Sequence, residues 1–266
     1  MIFPKRVTDL PIEIRRGFEF SSDSVSPITG VSVVIPVRGI DRQNNLNFCI
    51  SRMLMQNVHP LEIIVSEEDA YERIKVDYFA RDSRVRKVFT RSQKPFNKSI
   101  AINVGVCLAT NSKIVMNDAD IIPPKGYIAR IDETLEVYDS CFFAKEIYNV
   151  NLCRSGIVWS GGKRTDYFSG GSIAFTKKAF FDIGGMCEEF YGYGSEDCEF
   201  WGRIRNLTNM YECRDTAVLH IAHKRPEQYS VNSELYDKIM KKDMAERLAA
   251  LKLSLIHISE PTRQAE

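Results

Sequence analysis

Two adjacent acids follow a glycine-rich turn in the segment YGYGSEDCEF, at residues 191–200. Its two glycines bracket Tyr193 in a stretch that neither a regular helix nor a strand accommodates at ordinary cost. Glu196 and Asp197 then open a helical pattern, where the free amides of a first turn favour negative charge. Taken alone, the segment indicates an acidic helix cap. Three further segments of the chain shift the balance towards chemistry.

A pair of aspartates follows a predicted buried strand. Asp118 and Asp120 lie in NDADIIPP, directly after the apolar run at residues 114–116. In extended backbone, residues two apart point to the same side, so we expect the two carboxylates to converge on one object. A divalent cation is the object that most needs them. The alternative is a plain turn, because Asp and Asn favour turns and two prolines follow.

A helix is predicted just upstream, in PFNKSIAINVGV, with Asn97 as its N-cap. Its apolar positions share one face: Ile100, Val104 and Leu108. Lys98 and Asn103 are then either ordinary solvated residues or ligand contacts.

A second glycine pair, Gly170 and Gly171, lies in YFSGGS after the aromatic residues Tyr167 and Phe168. Paired glycines let the backbone approach a ligand closely, although they also occur at β-bulges.

In order and spacing, the four segments resemble the β-1,4-galactosyltransferase family and the related bacterial chondroitin-polymerase-type family 2 glycosyltransferases. The matching family segments run FNRAK-LNVG, DVDLIP, FGG-SA-K, and GWGGED or GYGYED. The resemblance covers residues 31–223 or so, most of the chain. It implies a GT-A fold and an inverting, metal-dependent transfer of a hexose or N-acetylhexosamine from a UDP-sugar to a hydroxyl of a glycan acceptor. It does not imply which sugar is moved.

The resemblance also assigns roles to residues of this chain. Asp197 is implied as the general base, and Glu196 as a residue that orients the acceptor or the loop. The implied ligands of Mn²⁺, or of Mg²⁺, are Asp120, Asp118 and His220. The role of His223 stays open, between a phosphate contact and a solvent-facing side chain.

The donor and acceptor contacts follow from the same resemblance. The donor-binding residues are predicted to be Pro36, Val37, Arg38, Glu67, Lys98, Asn103, Asp118, Gly170 and Gly171, with Glu67 accepting from the uracil ring. Tyr193 and Phe168 are predicted to contact the acceptor or the transferred sugar. Cys198 stands where the galactosyltransferases carry an acid that grips the acceptor, so the identity of the acceptor does not carry over.

Strand and helix patterns alternate along the chain, which predicts an α/β fold with a Rossmann-like nucleotide-binding sheet, mixed strands and helices on both faces. Strands are predicted at 31–37, 62–66, 85–90, 113–117, 141–147 and 218–221. Helices are predicted at 45–56, 70–80, 97–108, 126–138, 177–183, 198–207 and 233–251. The polar stretch 155–166 is predicted as a loop, with Trp159–Arg164 as a candidate lid. Arg38, Glu67 and Asp118 each follow a strand, at the end where ligands of such sheets bind.

One domain is expected at residues 30–252, with a nucleotide half at 30–122 and an acceptor half at 123–252. Residues 1–29 form an N-terminal extension. Residues 253–266 resemble a translated sequencing adapter, so His257 enters no chemical interpretation.

Composition narrows the class of protein. A net charge of +1 disfavours a nucleic-acid partner. Seven cysteines without paired spacing indicate a reduced, cytoplasmic protein rather than a disulfide or zinc framework. The start of the chain contains no long apolar segment, so neither a secretory signal nor a transmembrane anchor is predicted. A bacterial polysaccharide-synthesis enzyme with peripheral membrane association is compatible with this pattern.

Three rival functions stay open. A nucleotidyltransferase would show a glycine-rich basic loop after the first strand, which RGIDRQNN matches poorly. An inactive nucleotide-sugar-binding module would lack a base, and Asp197 argues against it. A retaining polypeptide N-acetylgalactosaminyltransferase-like enzyme would differ in the anomeric configuration of its product.

Overall fold

Buried β-branched runs build the centre of the sheet. The computed structural model describes residues 7–8, 17–18, 28–153, 156–164, 170–223 and 229–259. Four strands, β2 (Val31–Val37), β3 (Glu62–Asp69), β4 (Val85–Arg91) and β5 (Lys113–Asn117), run parallel in the order β5-β2-β3-β4. Every residue of β2 is buried, as a central strand covered on both faces requires.

The second half of the sheet is mixed. Its strands are β6 (Ile121–Ile122), β7 (Ser140–Cys153), β8 (Gly156–Arg164), β9 (Ser172–Thr176) and β10 (Met210–Ile221). Strand β9 lies antiparallel to β5 and to β7, and so joins the two halves. Strand β7 also pairs antiparallel with β8 and parallel with β10, and β10 pairs antiparallel with β6. The predicted α/β class with mixed strands is confirmed.

Helices cover both faces. They are α1 (Gln43–Leu54), α2 (Lys98–Leu108), α3 (Tyr127–Thr134), α4 (Lys177–Asp182), α5 (Glu196–Leu207), α6 (Tyr229–Met240) and α7 (Met244–Ser259). Side chains of α1 and α3 pack into one apolar cluster, and those of α2, α4 and α5 into another across the sheet. Each fully buried large side chain contributes about 1.5–3 kcal/mol to this packing. Among the described helices, none combines the length and the apolarity needed to cross a bilayer.

The N-terminal extension is partly built into the domain. Strand β1 (Val7–Thr8) pairs parallel with β8, and the backbone N–H of Lys125 donates to the carbonyl of Gly17. Phe18 is buried in the same cluster as α1. These segments therefore add to the sheet and the core of the domain.

The predicted helix at 70–80 is wrong, since the structure has only a short 3-10 turn at Asp77–Phe79. Glu67 Oε1 accepts from the backbone amides of Arg73 and Ile74, and Asp69 Oδ1 accepts from that of Ala70. Side-chain acceptors thus hold the amides of this segment in a non-helical path.

Two further predictions of elements are wrong. Residues 156–164 form strand β8 instead of a loop, so the lid proposed at Trp159–Arg164 is a paired strand in this structure. The predicted helix at 233–251 is two helices, because Asp243 Oδ1 accepts from the amide of Glu246 while Glu246 Oε2 accepts from that of Asp243. This reciprocal capping starts α7 afresh.

Asn97 is confirmed as the N-cap of α2, since its Oδ1 accepts from the amide of Ile100 at 3.0 Å. The face of α2 shared by Ile100, Val104 and Leu108 is rotated away from the core. Leu108 is exposed, whereas the buried positions include Lys98 and Asn103. Gly105 sets this rotation, because a Cβ there would lie 2.4 Å from Val34 on the sheet.

Candidate active site

The turn that carries the two aspartates is fixed by hydrogen bonds. The amide of Asp118 donates to the carbonyl of Gly171, the residue just before β9, at 2.7 Å. The buried side chain of Asn117 donates to the carbonyls of Asp118 and Ile121. The backbone turns between Asp118 and Ile121, where the amide of Ile121 donates to the carbonyl of Asp118. In this structure the carboxylate of Asp118 pairs with Lys98, whereas that of Asp120 contacts His223 and Arg42. That both carboxylates bind one ion stays a prediction.

Asp120 lies with two histidines from the end of β10. The Nε2 atom of His223 is 3.0 Å from Asp120 Oδ2, and that of His220 is 3.9 Å from Oδ1. Ligand atoms of all three residues lie within 4.8 Å of one another. The backbone joins them too, since the amide of Ile221 donates to the carbonyl of Asp120. Among the described residues this is the group able to hold a metal ion, and Asp118 is not part of it.

The charges around Asp120 keep it ionised. Burial would raise the pKa of its carboxyl, but a hydrogen bond from His223 and the nearby imidazoles and Arg42 lower the pKa below its ordinary value. The Nδ1 atom of His220 lies 2.9 Å from Asn149 Oδ1. With Nδ1 donating to that oxygen, Nε2 is the acceptor nitrogen of the ring, which is the form that ligates a metal.

Lys98 connects the first aspartate to the acids of α5. Its Nζ lies 2.8 Å from Asp118 Oδ1 and 2.8 Å from Asp197 Oδ2. Burial would lower the pKa of Lys98, but the charges of Asp118 and Asp197 raise it well above its ordinary value. The pKa of Asp118 is raised to about 7, by burial first, with Lys98 acting against the rise and Asp197 adding to it.

The start of α5 is strained. Ser195, the N-cap, has φ 74°, in the left-handed region that residues other than Gly and Asn rarely adopt. Such strain costs on the order of 1–3 kcal/mol and is typical of functional loops. The amide of Gly192 donates to the carbonyl of Phe96, which anchors this loop beside the start of α2. The predicted acidic helix start is confirmed, since Glu196 and Asp197 are the first residues of α5.

Gly170 packs directly against the side chain of Asp197. A Cβ on Gly170 would lie 2.2 Å from Asp197 Oδ2 and 2.9 Å from its Cβ. Asp197 keeps 21% of its side chain exposed. Glu196 beside it is buried, and burial together with the charge of Asp197 raises its pKa to about 7, with Lys98 acting against the rise. Adjacent acids thus have different environments, one open to solvent and one enclosed.

Two residues that were predicted to bind the UDP-sugar, Glu67 and Asn103, make contacts within the protein instead. Glu67 is fully buried, and one of its oxygens accepts from the amides of residues 73 and 74. Asn103 is fully buried and binds the backbone of Met186 and the carboxylate of Glu188. The structure therefore gives both residues structural contacts and does not bring them to the group around Asp120.

The end of β2 carries Pro36 and Val37, both buried, followed by the partly exposed Arg38. The guanidinium of Arg38 donates to Glu68 Oε2 at 3.2 Å and to the carbonyl of Lys94 at 2.7 Å. Tyr193 is partly exposed in the loop before α5. Phe168 lies outside the described residues.

Sequence reasoning missed three residues of this region. Arg42 reaches Asp120 Oδ2 with its Nη1 at 3.2 Å, and the basic residue in RGIDRQNN, in the turn after β2, was the available signal. His223 had no assigned role, although it follows His220 by only three residues and both imidazoles belong to the group that could bind one metal ion. Glu68, rather than Glu67, carries the carboxylate beside Arg38.

Comparisons with known proteins find sequence similarity to galactosyltransferases. A family model described as "N-terminal domain of galactosyltransferase" matches residues 159–224. Drosophila melanogaster β-1,4-galactosyltransferase 7 is 26% identical over 161 residues, which cover 56% of this chain and 46% of that protein. Bos taurus β-1,4-galactosyltransferase 1 is 24% identical over 225 residues, covering 82% and 47%. The chain thus spans about half the length of these curated relatives.

One solved structure shows the fold. The structure of GalNAc-T7 with UDP, GalNAc and Mn²⁺ superposes with a TM-score of 0.55 at 14% identity, covering 75% of this chain and 44% of that one. At that identity the likeness concerns the fold alone. The chain therefore has the GT-A fold and is similar in sequence to galactosyltransferases.

Proposed function

We propose that the domain is a metal-dependent, inverting glycosyltransferase that moves a hexose or N-acetylhexosamine from a UDP-sugar to a hydroxyl of a glycan. The observation that carries the proposal is the link from Asp197 through Lys98 to Asp118, two residues before the metal-type group at Asp120. In the proposal, Asp197 supplies the base and the group around Asp120 supplies the cation, and transfer from a nucleotide-diphosphate sugar needs both.

The donor set around Asp120 suits Mn²⁺. One carboxylate and two imidazoles, from His220 and His223, form a mixed oxygen and nitrogen set, which Mn²⁺ tolerates better than Mg²⁺ does. The three side chains are grouped closely enough for small rotations to place them on one ion. Such an ion would stabilise the negative charge that develops on the departing diphosphate.

The chain supplies further positive charge to the diphosphate. The guanidinium of Arg42 lies at the same carboxylate, and its planar donors suit phosphate oxygens. Lys98 is buried and charged between two carboxylates, so it holds their positions and keeps Asp118 from repelling Asp197. Gly170 and Gly171 bring backbone close to this point without side chains.

Asp197 is the proposed general base. Its carboxylate is partly exposed, so an acceptor hydroxyl can reach it and pass on its proton while attacking the anomeric carbon. The ammonium of Lys98 lies 2.8 Å from Oδ2 of this carboxylate and holds its position. Glu196 is enclosed, so an acceptor hydroxyl reaches it less readily than Asp197, which fits an orienting role.

The nucleotide is proposed to lie at the ends of β2 and β3. Pro36, Val37 and Arg38 supply its binding edge. Glu68 is a better partner for a ring N–H than Glu67, because its Oε1 is buried and has no hydrogen-bond partner among the described residues. The corresponding oxygen of Glu67 faces the ammonium of Lys87 at 3.5 Å.

For the acceptor, the proposed contact is Tyr193, whose ring could stack on the apolar face of a sugar. Its position in the loop before α5 places it close in sequence to Asp197.

All seven cysteines are free, which supports the proposal of a reducing, cytoplasmic compartment.

The experiment that tests the function is a panel of UDP-sugars with Mn²⁺, read as UDP release with and without candidate glycan acceptors. Acceptor-stimulated release with a β-linked product from an α-linked donor supports inversion. An α-linked product would favour a retaining N-acetylgalactosaminyltransferase-like enzyme instead. Mn²⁺-dependent UDP binding without turnover on any acceptor would favour an inactive binding module.

A further inference from the structure

Arg42 touches the one carboxylate of the proposed metal site. It ends the 3-10 turn Ile40–Arg42 after β2 and lies 78 residues before Asp120 in the chain. Its Nη1 is 3.2 Å from Asp120 Oδ2, the same oxygen that His223 Nε2 approaches at 3.0 Å. The guanidinium therefore takes a position on the carboxylate that an ion bound by Asp120 would use.

The arginine is held there by few contacts. Its side chain is 22% exposed, and its other ion pair among the described residues is a long one of 3.9 Å to Asp41, which is 80% exposed. The turn that carries it begins at Gly39, which has φ 81°. Arg42 can thus leave Asp120 without breaking a buried network.

A divalent cation and a guanidinium compete for Asp120. They repel each other at short range, and both draw on the same carboxylate oxygen. A diphosphate changes this balance, because its oxygens offer the guanidinium an alternative bidentate partner. Each ligand would then favour the other, and linkage requires the effect to be reciprocal.

We propose that Arg42 is a resident counter-cation of Asp120 that couples metal uptake to nucleotide binding. The diphosphate draws Arg42 off Asp120, and the released carboxylate takes the divalent cation. This inference rests on the proposed function, since it assumes that Asp120 binds a metal and that the site takes a nucleoside diphosphate. Arg42 is a positioning residue in this scheme and exchanges no proton or electron with the substrate.

The test measures Mn²⁺ affinity directly, by the electron paramagnetic resonance signal of free Mn²⁺, with and without saturating UDP. In Arg42→Gln we expect Mn²⁺ to bind roughly 3- to 10-fold more tightly without UDP, in the range of couplings that a single charge pair supplies. The enhancement of Mn²⁺ affinity by UDP should fall by a similar factor. Arg42→Lys keeps the charge and should stay close to wild type.

Arg38→Gln is the matched comparison, because Arg38 pairs with Glu68 and Asp69 rather than with Asp120. It should leave Mn²⁺ affinity without UDP unchanged while weakening UDP. Unchanged or weaker Mn²⁺ binding in Arg42→Gln, with a wild-type melting temperature, would overturn the coupling role. The metal site itself is tested separately by Asp120→Asn. Undiminished Mn²⁺ binding in that variant would refute the proposed function instead.

Discussion

Gly170→Ala is expected to disable the proposed base while leaving the rest of the site in place. The added Cβ would lie 2.2 Å from Asp197 Oδ2, 2.7 Å from its Cγ and 2.9 Å from its Cβ. Because all three atoms are too close, rotation of the carboxylate alone cannot relieve the clash. Gly170 is not among the glycines with positive φ, so the alanine backbone itself is unstrained.

The magnitude follows from that displacement. Restoring ordinary contact requires Asp197 to move by about 1 Å, and a misplacement of this size in a reacting group can cost about 10²-fold in rate. The move also pulls Oδ2 away from Lys98, now 2.8 Å distant. We expect kcat/KM for acceptor-dependent UDP release to fall about 100-fold, with Mn²⁺ and UDP affinities within about 3-fold of wild type.

Gly202→Ala provides the matched control. Gly202 lies inside α5, and a Cβ there would meet nothing within 4 Å. Alanine at this position should leave kcat/KM unchanged and stabilise the protein by about 0.5–1 kcal/mol. Wild-type activity in Gly170→Ala would refute the placement of Asp197 against Gly170. Equal loss of activity in both variants would show that the assay reports folding rather than geometry.

Further predictions concern the acids of α5 and the core. Glu199 is fully buried and accepts hydrogen bonds from Arg203 and from Arg247 of α7. Glu199→Gln leaves both guanidiniums without a negative partner, so it should lower the free energy of unfolding by about 3–5 kcal/mol, measured by urea titration. A loss under about 1 kcal/mol would contradict this pairing. The pKa of Glu196 is raised to about 7 in the folded state, so the folded protein binds more protons than the unfolded chain between about pH 4.5 and 7, and stability should fall as pH rises through that window. Glu196→Gln should flatten this fall by about 1–3 kcal/mol, and an unchanged slope would assign it to Asp118 alone. Phe18→Ala should cost about 3 kcal/mol in the same titration, and no cost would show that the N-terminal segment does not pack on the core.

The sequence predicted the parts of the fold that local pattern controls. The apolar run of β2, the strand before Asp118 and the cap at Asn97 are each encoded within a few residues, and each is confirmed. The start of α5 at Glu196 is also local, because a glycine turn and adjacent acids specify it together. The capping pair of Asp243 and Glu246 was equally local and was missed, although its spacing was visible in the sequence.

Long-range contacts decided what the sequence could not predict. The segment after β3 looked helical, but buried acceptors on Glu67 and Asp69 take its amides. Arg42 meets Asp120 only because β2 and β5 are neighbours in the sheet, and no local pattern encodes that meeting. Lys98 became a buried link between two acids through the rotation of α2 that Gly105 sets.

The central claim is that Asp197 acts as a base beside a cation site at Asp120. The most direct measurement compares Asp197→Asn with Asp182→Asn, an equivalent change at an exposed carboxylate of α4, in acceptor-dependent UDP release and in Mn²⁺-dependent UDP affinity. We predict that Asp197→Asn loses at least about 10³-fold in release while UDP affinity stays within about 3-fold, and that Asp182→Asn behaves as wild type. Retained release in Asp197→Asn, or loss of Mn²⁺-dependent UDP binding in that variant, would contradict the assignment.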